Sequence, residues 1–386
     1  MGLFKSDEEK LIDAIKNENV VKVKSILENS NKNKKILKLN EKDKYGWYPL
    51  LKAIDENNIE IVKLLVDYAN QHQIILELNE KNEYGDYLLS KAIDEYNVEI
   101  VKLLLEYSLQ HQIFFKLNEK NDVDYPLLWA ISCNNIEIVQ LLIDYANKNG
   151  IILELNDKFE NGNYPLLYAI GKNNIEMVQL LIDYGNKNDI ILEMNDKNKN
   201  GNYPLILTTE KNDVNMTRLL MKYCNKNGIE LELNEKNIDK YYPFLIATLL
   251  NNTEMVELLI QYSIENKIII NINDRENRYE EYPLLWAIYY ENIEMLKLIM
   301  EYGTVLDINH RSKEGLYPLL LTINKNNIEI TELILDYANE NEIKLIINEK
   351  DKENIYSFMI DKKIKKFKIE DVIFEKSIFY KKKLKL

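Results

Sequence analysis

The chain has 386 residues, of which 46% are hydrophobic and 29% are charged, so it carries enough apolar surface for a folded core. No stretch approaches the roughly eighteen uninterrupted apolar residues of a membrane-spanning helix. The net charge of −13 disfavours nucleic acid as a partner, because phosphate binding requires positive charge.

The chain begins with MGLFKSDEEK, which lacks the long apolar run of a secretory signal. Only two cysteines, Cys133 and Cys224, are present, too few for a disulfide framework or a cysteine-based zinc site. We therefore expect an intracellular protein, in the cytoplasm or the nucleus. The first residues also fit the N-myristoylation pattern at Gly2. In residues 1–39 the apolar residues keep the helical spacing found at the start of each copy, which predicts an N-terminal capping repeat.

One phrase, a tyrosine followed in seven of nine copies by proline, recurs along the rest of the chain. The tyrosines are spaced by 39, 38, 39, 39, 39, 40, 35 and 39 residues. They are Tyr48, Tyr87, Tyr125, Tyr164, Tyr203, Tyr242, Tyr282, Tyr317 and Tyr356. A fixed period of this size is typical of a stacked solenoid. An asparagine follows each of the first eight tyrosines by 31 residues, except between Tyr282 and Asn309, where the distance of 27 predicts a helix one turn shorter.

Each copy predicts two helices. In the first full copy, Pro49 marks the start of a helix A of about nine residues, because proline suits the first helical position. Asn57 and Asn58 predict a left-handed turn, and the apolar spacing from Ile59 to Tyr68 predicts a longer helix B. Ile74 to Leu78 returns the chain to Asn79, whose side chain we expect to brace its own turn.

These segments resemble the ankyrin repeat, in which Thr-Pro-Leu-His opens helix A, a Gly-His turn follows, and an apolar run forms helix B. The resemblance spans eight full, lengthened copies over residues 40–350. It implies an all-α, ankyrin-like α-solenoid of stacked helix-turn-helix repeats with hairpin-like connecting loops. Residues 351–386 are expected to form a degenerate C-terminal capping repeat with a basic tail. Because Tyr and Leu replace the family's Thr and His, we expect the hydrogen bonds of those side chains to be missing and Tyr and Leu to pack on neighbouring copies.

A catalytic or metal-binding constellation is not evident in the sequence. His72 and His111 occupy the same phase of adjacent copies, which indicates inheritance through repeat duplication, since no further His or Cys shares that phase. Gly-rich phosphate loops are also missing, because Asn161-Gly162-Asn163 and its counterpart fall at hairpin tips. We therefore predict neither an enzyme nor a cofactor.

Aromatic and apolar residues outside the repeat pattern are the candidates for partner binding. In proteins that resemble this one, hairpin tips and the exposed side of helix A grip partners. Five candidates map to the tips: Tyr45, Trp47, Tyr84, Tyr241 and Tyr279. Leu249, Leu250, Tyr289 and Tyr290 map to normally polar positions of two adjacent copies and predict a contiguous exposed patch. The alternative is that the longer repeat buries them. Trp129, Tyr168 and Trp286 fit either the core or a contact.

The function implied is a non-catalytic scaffold or adaptor that binds another protein or peptide on a concave face. The early copies are acidic, and the later copies are aromatic and apolar, so a partner with a basic segment and an apolar anchor would suit them. The acidic residues are Asp55, Glu56, Asp86, Asp94, Glu95 and Asp124. We expect a monomer. The alternative is a membrane-peripheral adaptor, held by an acylated Gly2 and the lysine-rich tail that follows Asp361.

Overall fold

The structure, a computed structural model, describes residues 5–119, 125–276, 278–364 and 372–375. These residues are mostly helical, and a helix-turn-helix unit recurs along them. The chain divides into two compact units, Met1–Glu193 and Met194–Leu386. Each unit is built from the same repeat. At the start of the first unit, α1 (Asp7–Lys16) and α2 (Val20–Lys32) form the N-terminal helix pair, and Ser6 and Glu9 close a capping box on α1.

A short helix A opens each full repeat. In the first, Tyr48 is extended and Pro49 takes the first helical position, where its missing N–H breaks no intrahelical bond. This helix has seven residues rather than the predicted nine, because the chain turns at Glu56 and Asn57, where φ reaches 51°. The helices A are α3 (Pro49–Asp55), α5 (Leu88–Asp94), α7 (Pro126–Ser132), α9 (Pro165–Gly171), α11 (Pro204–Glu210), α13 (Pro243–Leu249), α15 (Pro283–Tyr289) and α17 (Pro318–Asn324).

Helix B follows the left-handed residue directly. Asn58 caps the first one, because its side-chain oxygen accepts a hydrogen bond from the Ile61 N–H at 3.1 Å. Within each unit, helix A packs on its own helix B and on the helix A of the next repeat, and this packing forms the apolar core. The helices B are α4 (Ile59–Gln71), α6 (Val98–His111), α8 (Ile136–Asn149), α10 (Ile175–Lys187), α12 (Val214–Asn227), α14 (Thr253–Asn266), α16 (Ile293–Glu301) and α18 (Ile328–Glu340).

The repeat that begins at Tyr282 is shorter within its helix B, as the spacing between Tyr282 and Asn309 predicts. Helix α16 has nine residues, whereas the other helices B have 13 or 14. The missing turn leaves a depression of about 360 Å³ between α16 and α18, lined in part by Met300, Val305 and Leu333. One turn of helix can be lost here because the apolar face keeps its phase when about four residues are removed.

The first eight tyrosines of the recurring phrase are buried, and most of them donate a hydrogen bond across the repeat. The Tyr125 hydroxyl donates to the Glu154 carbonyl at 2.8 Å, and the Tyr242 hydroxyl donates to the Asn271 carbonyl at the same distance. Equivalent bonds start from Tyr48, Tyr164, Tyr203 and Tyr282. The expectation that this position only packs was therefore wrong. The phenol reaches the return segment from inside the core and satisfies a carbonyl there.

The recurring asparagine bonds to the next repeat. The expectation that it braces its own turn was therefore wrong. The Asn156 side-chain amide donates to the Ile191 carbonyl at 2.7 Å, and its oxygen accepts from the Glu193 N–H at 3.1 Å. One side chain thus makes both hydrogen bonds that a neighbouring β-strand would offer. The same pair of bonds starts from Asn40, Asn79, Asn118, Asn195, Asn234, Asn273 and Asn309.

The C-terminal end of the second unit departs from the all-helical pattern. The last return segment is a strand, β1 (Leu345–Asn348), followed by a 3-10 turn and by α19 (Lys352–Asp361). Strand β2 (Val372–Glu375) pairs in parallel with β1. Strand β2 thereby covers the edge of β1 where a further repeat would stack.

Candidate protein-interaction surface

Three of the predicted contact residues lie together at adjacent hairpin tips of the first unit. The Asp43 carboxylate accepts hydrogen bonds from the backbone N–H groups of Tyr45 and Trp47, both at 2.9 Å, and so fixes the first tip. The ring of Trp47 lies 6.3 Å from that of Tyr84 on the next tip. Tyr84 is 66% exposed. The two tips approach closely, since a Cβ on Gly46 would come within 2.7 Å of the Asn82 backbone.

The acidic side chains on the helices A of the first unit are partly neutralised by two lysines. Lys52 contacts Asp55 at 2.5 Å and Glu56 at 2.8 Å. Lys91 contacts Asp55 at 3.0 Å and also pairs with the two acidic residues that end its own helix, Asp94 and Glu95. Burial opposes ionisation of Asp55, but the hydrogen bonds from both lysines outweigh it and lower the pKa of its carboxyl. Four carboxylates and two ammonium groups leave this surface less negative than its sequence suggests.

Four other predicted residues line one groove in the second unit: Tyr241, Leu249, Tyr279 and Tyr289. The groove has a volume of about 330 Å³. Hairpin tips contribute two of its tyrosines, and α13 and α15 contribute the leucine and the third. The rest of the lining consists of Arg278, Glu281, Leu285, Trp286, Glu314, Leu316 and Leu321.

The end of α15 carries a cluster of three aromatic rings in contact. Trp286 stacks on Tyr290 at 5.9 Å between ring centroids and meets Tyr289 edge-on at 5.6 Å. The Tyr290 hydroxyl donates to the Leu249 carbonyl of the preceding repeat at 2.8 Å, which ties the cluster to α13. Leu250, at the end of α13, is 40% exposed, and Tyr289 is 50% exposed. Leu250, Tyr289 and Tyr290 are therefore exposed and not buried by the lengthened repeat, whereas Leu249 is half-buried.

Carboxylates occupy one rim of the groove. Glu276 is buried, and it accepts hydrogen bonds from the backbone N–H groups of Arg278, Tyr279 and Glu281. Burial, together with the negative charges of Glu276 and Glu314, raises the pKa of the Glu281 carboxyl. The Arg278 guanidinium lies 5.0 Å from the centre of the Tyr279 ring. The rim thus holds two carboxylates, Glu281 and Glu314, and one guanidinium, whereas Glu276 lies buried behind them.

Histidines and cysteines do not combine into a reactive site in the described part of the chain. His72 contacts the Asn31 side chain at 2.6 Å, and His111 contacts Asn70 at 2.9 Å, so both serve as packing residues beside the tyrosines of helix B. Burial raises the pKa of the Cys224 thiol to about 12, which makes it unreactive near neutral pH. Across residues 5–119, 125–276, 278–364 and 372–375, no cluster of His, Cys, Asp and Glu suits a metal ion.

The family model described as ankyrin repeats (3 copies) matches residues 11–114, 69–151, 109–191, 148–231 and 225–310. The chain therefore belongs to the ankyrin repeat family. Among solved structures, it is similar to the ankyrin repeat domain of Bcl-3, a member of the IkappaB protein family, with 18% identity and a TM-score of 0.47. That match covers 66% of this chain and 99% of the other. No curated protein sequence matches the chain significantly.

Membership confirms the predicted fold, an ankyrin solenoid of helix-turn-helix repeats. Ankyrin repeats are generally protein–protein interaction scaffolds, and the fold is typically non-catalytic. In the described residues, no helix is both long and apolar enough to span a bilayer. Gly2 and most of the basic tail, residues 365–371 and 376–386, lie outside the described residues, so the membrane-adaptor alternative stays a prediction.

Several groove residues carry no distinguishing sequence signal. The sequence fits Trp286 equally to the core or to a partner contact, and the structure places it half-buried in the groove wall. Glu281 and Glu314 are two of many acidic residues in the chain, and nothing in their spacing sets them apart. Arg278 could have been noticed, because arginine is rare here beside lysine.

Proposed function

We propose that this protein is a non-catalytic scaffold and that the groove of its second unit, with the adjoining exposed residues of α13 and α15, binds a partner protein. One observation carries the proposal: apolar and aromatic side chains from two adjacent repeats, including Leu249 and Tyr289, line a single groove, and the exposed Leu250 and Tyr290 adjoin it in sequence. Tyrosine and tryptophan are enriched where interfaces gain most of their binding energy.

The first unit offers a smaller candidate surface at the tips that carry Tyr45, Trp47 and Tyr84. The carboxylates beside these tips already form ion pairs with two lysines, and the tips form no groove of comparable size among the described residues. We therefore place the main binding surface on the second unit. We also propose that the protein acts inside the cell as a monomer, which light scattering of the purified chain tests.

The test compares two double variants of the full chain. Leu250→Gln with Tyr289→Gln, the rim variant, alters exposed residues at and beside the groove, whereas Ile264→Gln with Ile269→Gln alters residues of the same unit that are still more exposed and do not line the groove. A partner captured by the unaltered chain is identified by mass spectrometry, purified and titrated against each variant. We expect the rim variant to bind at least tenfold more weakly and the control to bind normally. Equal binding by both variants would refute the proposal.

A further inference from the structure

The groove of the second unit combines an apolar floor, aromatic walls and a negative rim. Leu249, Leu285 and Leu321 lie where an aliphatic stem would pack, and Trp286 and Tyr289 offer ring surface. The ring faces around the groove already attract cations of the chain itself: the Lys325 ammonium stands 4.2 Å from the centre of the Tyr289 ring. Rings of this kind bind ammonium and guanidinium groups through their negative faces.

Two carboxylates at the rim have no counter-ion. Among the described residues, neither Glu281 nor Glu314 forms an ion pair or accepts a hydrogen bond through its carboxylate. Glu276, by contrast, is fully engaged by three backbone N–H groups. Arg278 lies against Tyr279, and its positive charge leaves the groove lining with a net charge of −1 from two carboxylates and one guanidinium.

Glu281 is half-buried, whereas Glu314 is exposed. A half-buried carboxylate without a partner destabilises the unit that contains it, because burial removes water from the charge. A cation entering the groove would remove this cost and would also contact the rings. Arginine suits such a place better than lysine, since its guanidinium is less strongly hydrated, stacks on aromatic rings and pairs with carboxylates through two parallel hydrogen bonds.

We infer that the groove receives an arginine side chain of the partner protein, with its aliphatic stem on the leucine floor, its guanidinium against the aromatic rings and its charge facing Glu281 and Glu314. This inference rests on the proposed function, and it specifies the chemistry of the segment that the groove takes.

The probe is the peptide acetyl-Gly-Leu-Arg-Leu-Gly-amide, compared with the same peptide carrying citrulline, lysine or norleucine in place of arginine. Citrulline keeps the shape of arginine but removes its charge. The Trp286 indole N–H has no hydrogen-bond partner among the described residues, so its NMR resonance reports directly on changes in the groove. Trp47 and Trp129 lie in the first unit and serve as internal references. The three indole resonances are assigned with single Trp→Phe variants.

We expect the arginine peptide to shift the Trp286 resonance with a Kd near the millimolar range, and the citrulline peptide to bind at least fivefold more weakly. Glu281→Gln with Glu314→Gln should weaken the arginine peptide about tenfold, which corresponds to about 1.4 kcal/mol. Glu257→Gln, an exposed carboxylate elsewhere in the unit, should leave binding unchanged.

Equal binding of the arginine and citrulline peptides would overturn the inference, as would tighter binding of norleucine or lysine, or no shift at about 10 mM peptide. None of these outcomes decides the proposed function, because the rim variant with Leu250→Gln and Tyr289→Gln tests protein binding whatever side chain enters the groove. Loss of binding in that variant with no preference for arginine would leave the scaffold proposal standing and remove only this inference.

Discussion

The hydroxyl of the recurring tyrosine offers a sharp test of what holds each repeat together. Tyr125 and Tyr87 occupy the same position in adjacent repeats of the first unit and are 2% and 4% exposed. The Tyr125 hydroxyl donates to the Glu154 carbonyl at 2.8 Å. The Tyr87 hydroxyl is also buried, but it has no hydrogen-bond partner among the described residues. The same substitution, Tyr→Phe, therefore removes a hydrogen bond at one site and only an unpaired hydroxyl at the other.

We expect Tyr125→Phe to lower the free energy of unfolding by about 1–2 kcal/mol, because it leaves a carbonyl of the return segment without its donor. Tyr87→Phe should change stability by less than about 0.5 kcal/mol, or raise it slightly, since no bond is lost. Urea denaturation measures both effects. Amide hydrogen exchange of the segment around Glu154 shows whether the loss is local, which matters because repeat proteins need not unfold in one step. Equal losses in the two variants would refute the role given to the hydroxyl.

Three further substitutions test other parts of the structure. Tyr96 has a left-handed φ of 55° at a position where most other repeats carry asparagine. Because asparagine adopts this conformation at lower cost, Tyr96→Asn should raise the free energy of unfolding by about 0.5–1 kcal/mol in urea denaturation. A lower free energy of unfolding would contradict this prediction. Asn156→Ala removes the hydrogen bonds to Ile191 and Glu193 and should lower the free energy of unfolding by about 1–2 kcal/mol. The Glu193 amide should then exchange its hydrogen faster. Unchanged exchange would show that these hydrogen bonds are dispensable. Burial raises the pKa of Glu281, so the ionised carboxylate destabilises the fold above that pKa. Glu281→Gln should therefore raise the melting temperature near pH 7 but not below about pH 4, where the carboxyl is protonated. A gain that persists in acid would argue against ionisation as the cause.

Much of the fold could be predicted from the sequence, because its signals are local. The proline at the start of helix A, the left-handed asparagine before helix B and the apolar spacing each act within a few residues. Even the shortened α16 follows from one spacing, between Tyr282 and Asn309. The exposure of Leu250, Tyr289 and Tyr290 also follows from local pattern, since normally polar positions face water.

The hydrogen bonds within and between repeats that join distant residues depended on tertiary structure. Asn156 and Ile191 are 35 residues apart, and Tyr125 and Glu154 are 29 apart. The period shows that such residues recur, but the direction of a side chain toward the next repeat is set only when the helices pack. For this reason the asparagine was assigned to its own turn, and the tyrosine to packing alone.

The electrostatics of the two candidate surfaces likewise could not be derived from the order of residues. Lys52 and Lys91 neutralise acidic side chains from two helices, and this depends on the distance between adjacent repeats. Glu281 and Glu314 reach one groove from neighbouring hairpin tips, and Trp286 joins them from α15. The periodicity of the sequence determined which residues recur and which depart from the pattern. Packing decided which of the departing residues meet, because electrostatic interactions and burial depend on distances between atoms that are far apart along the chain.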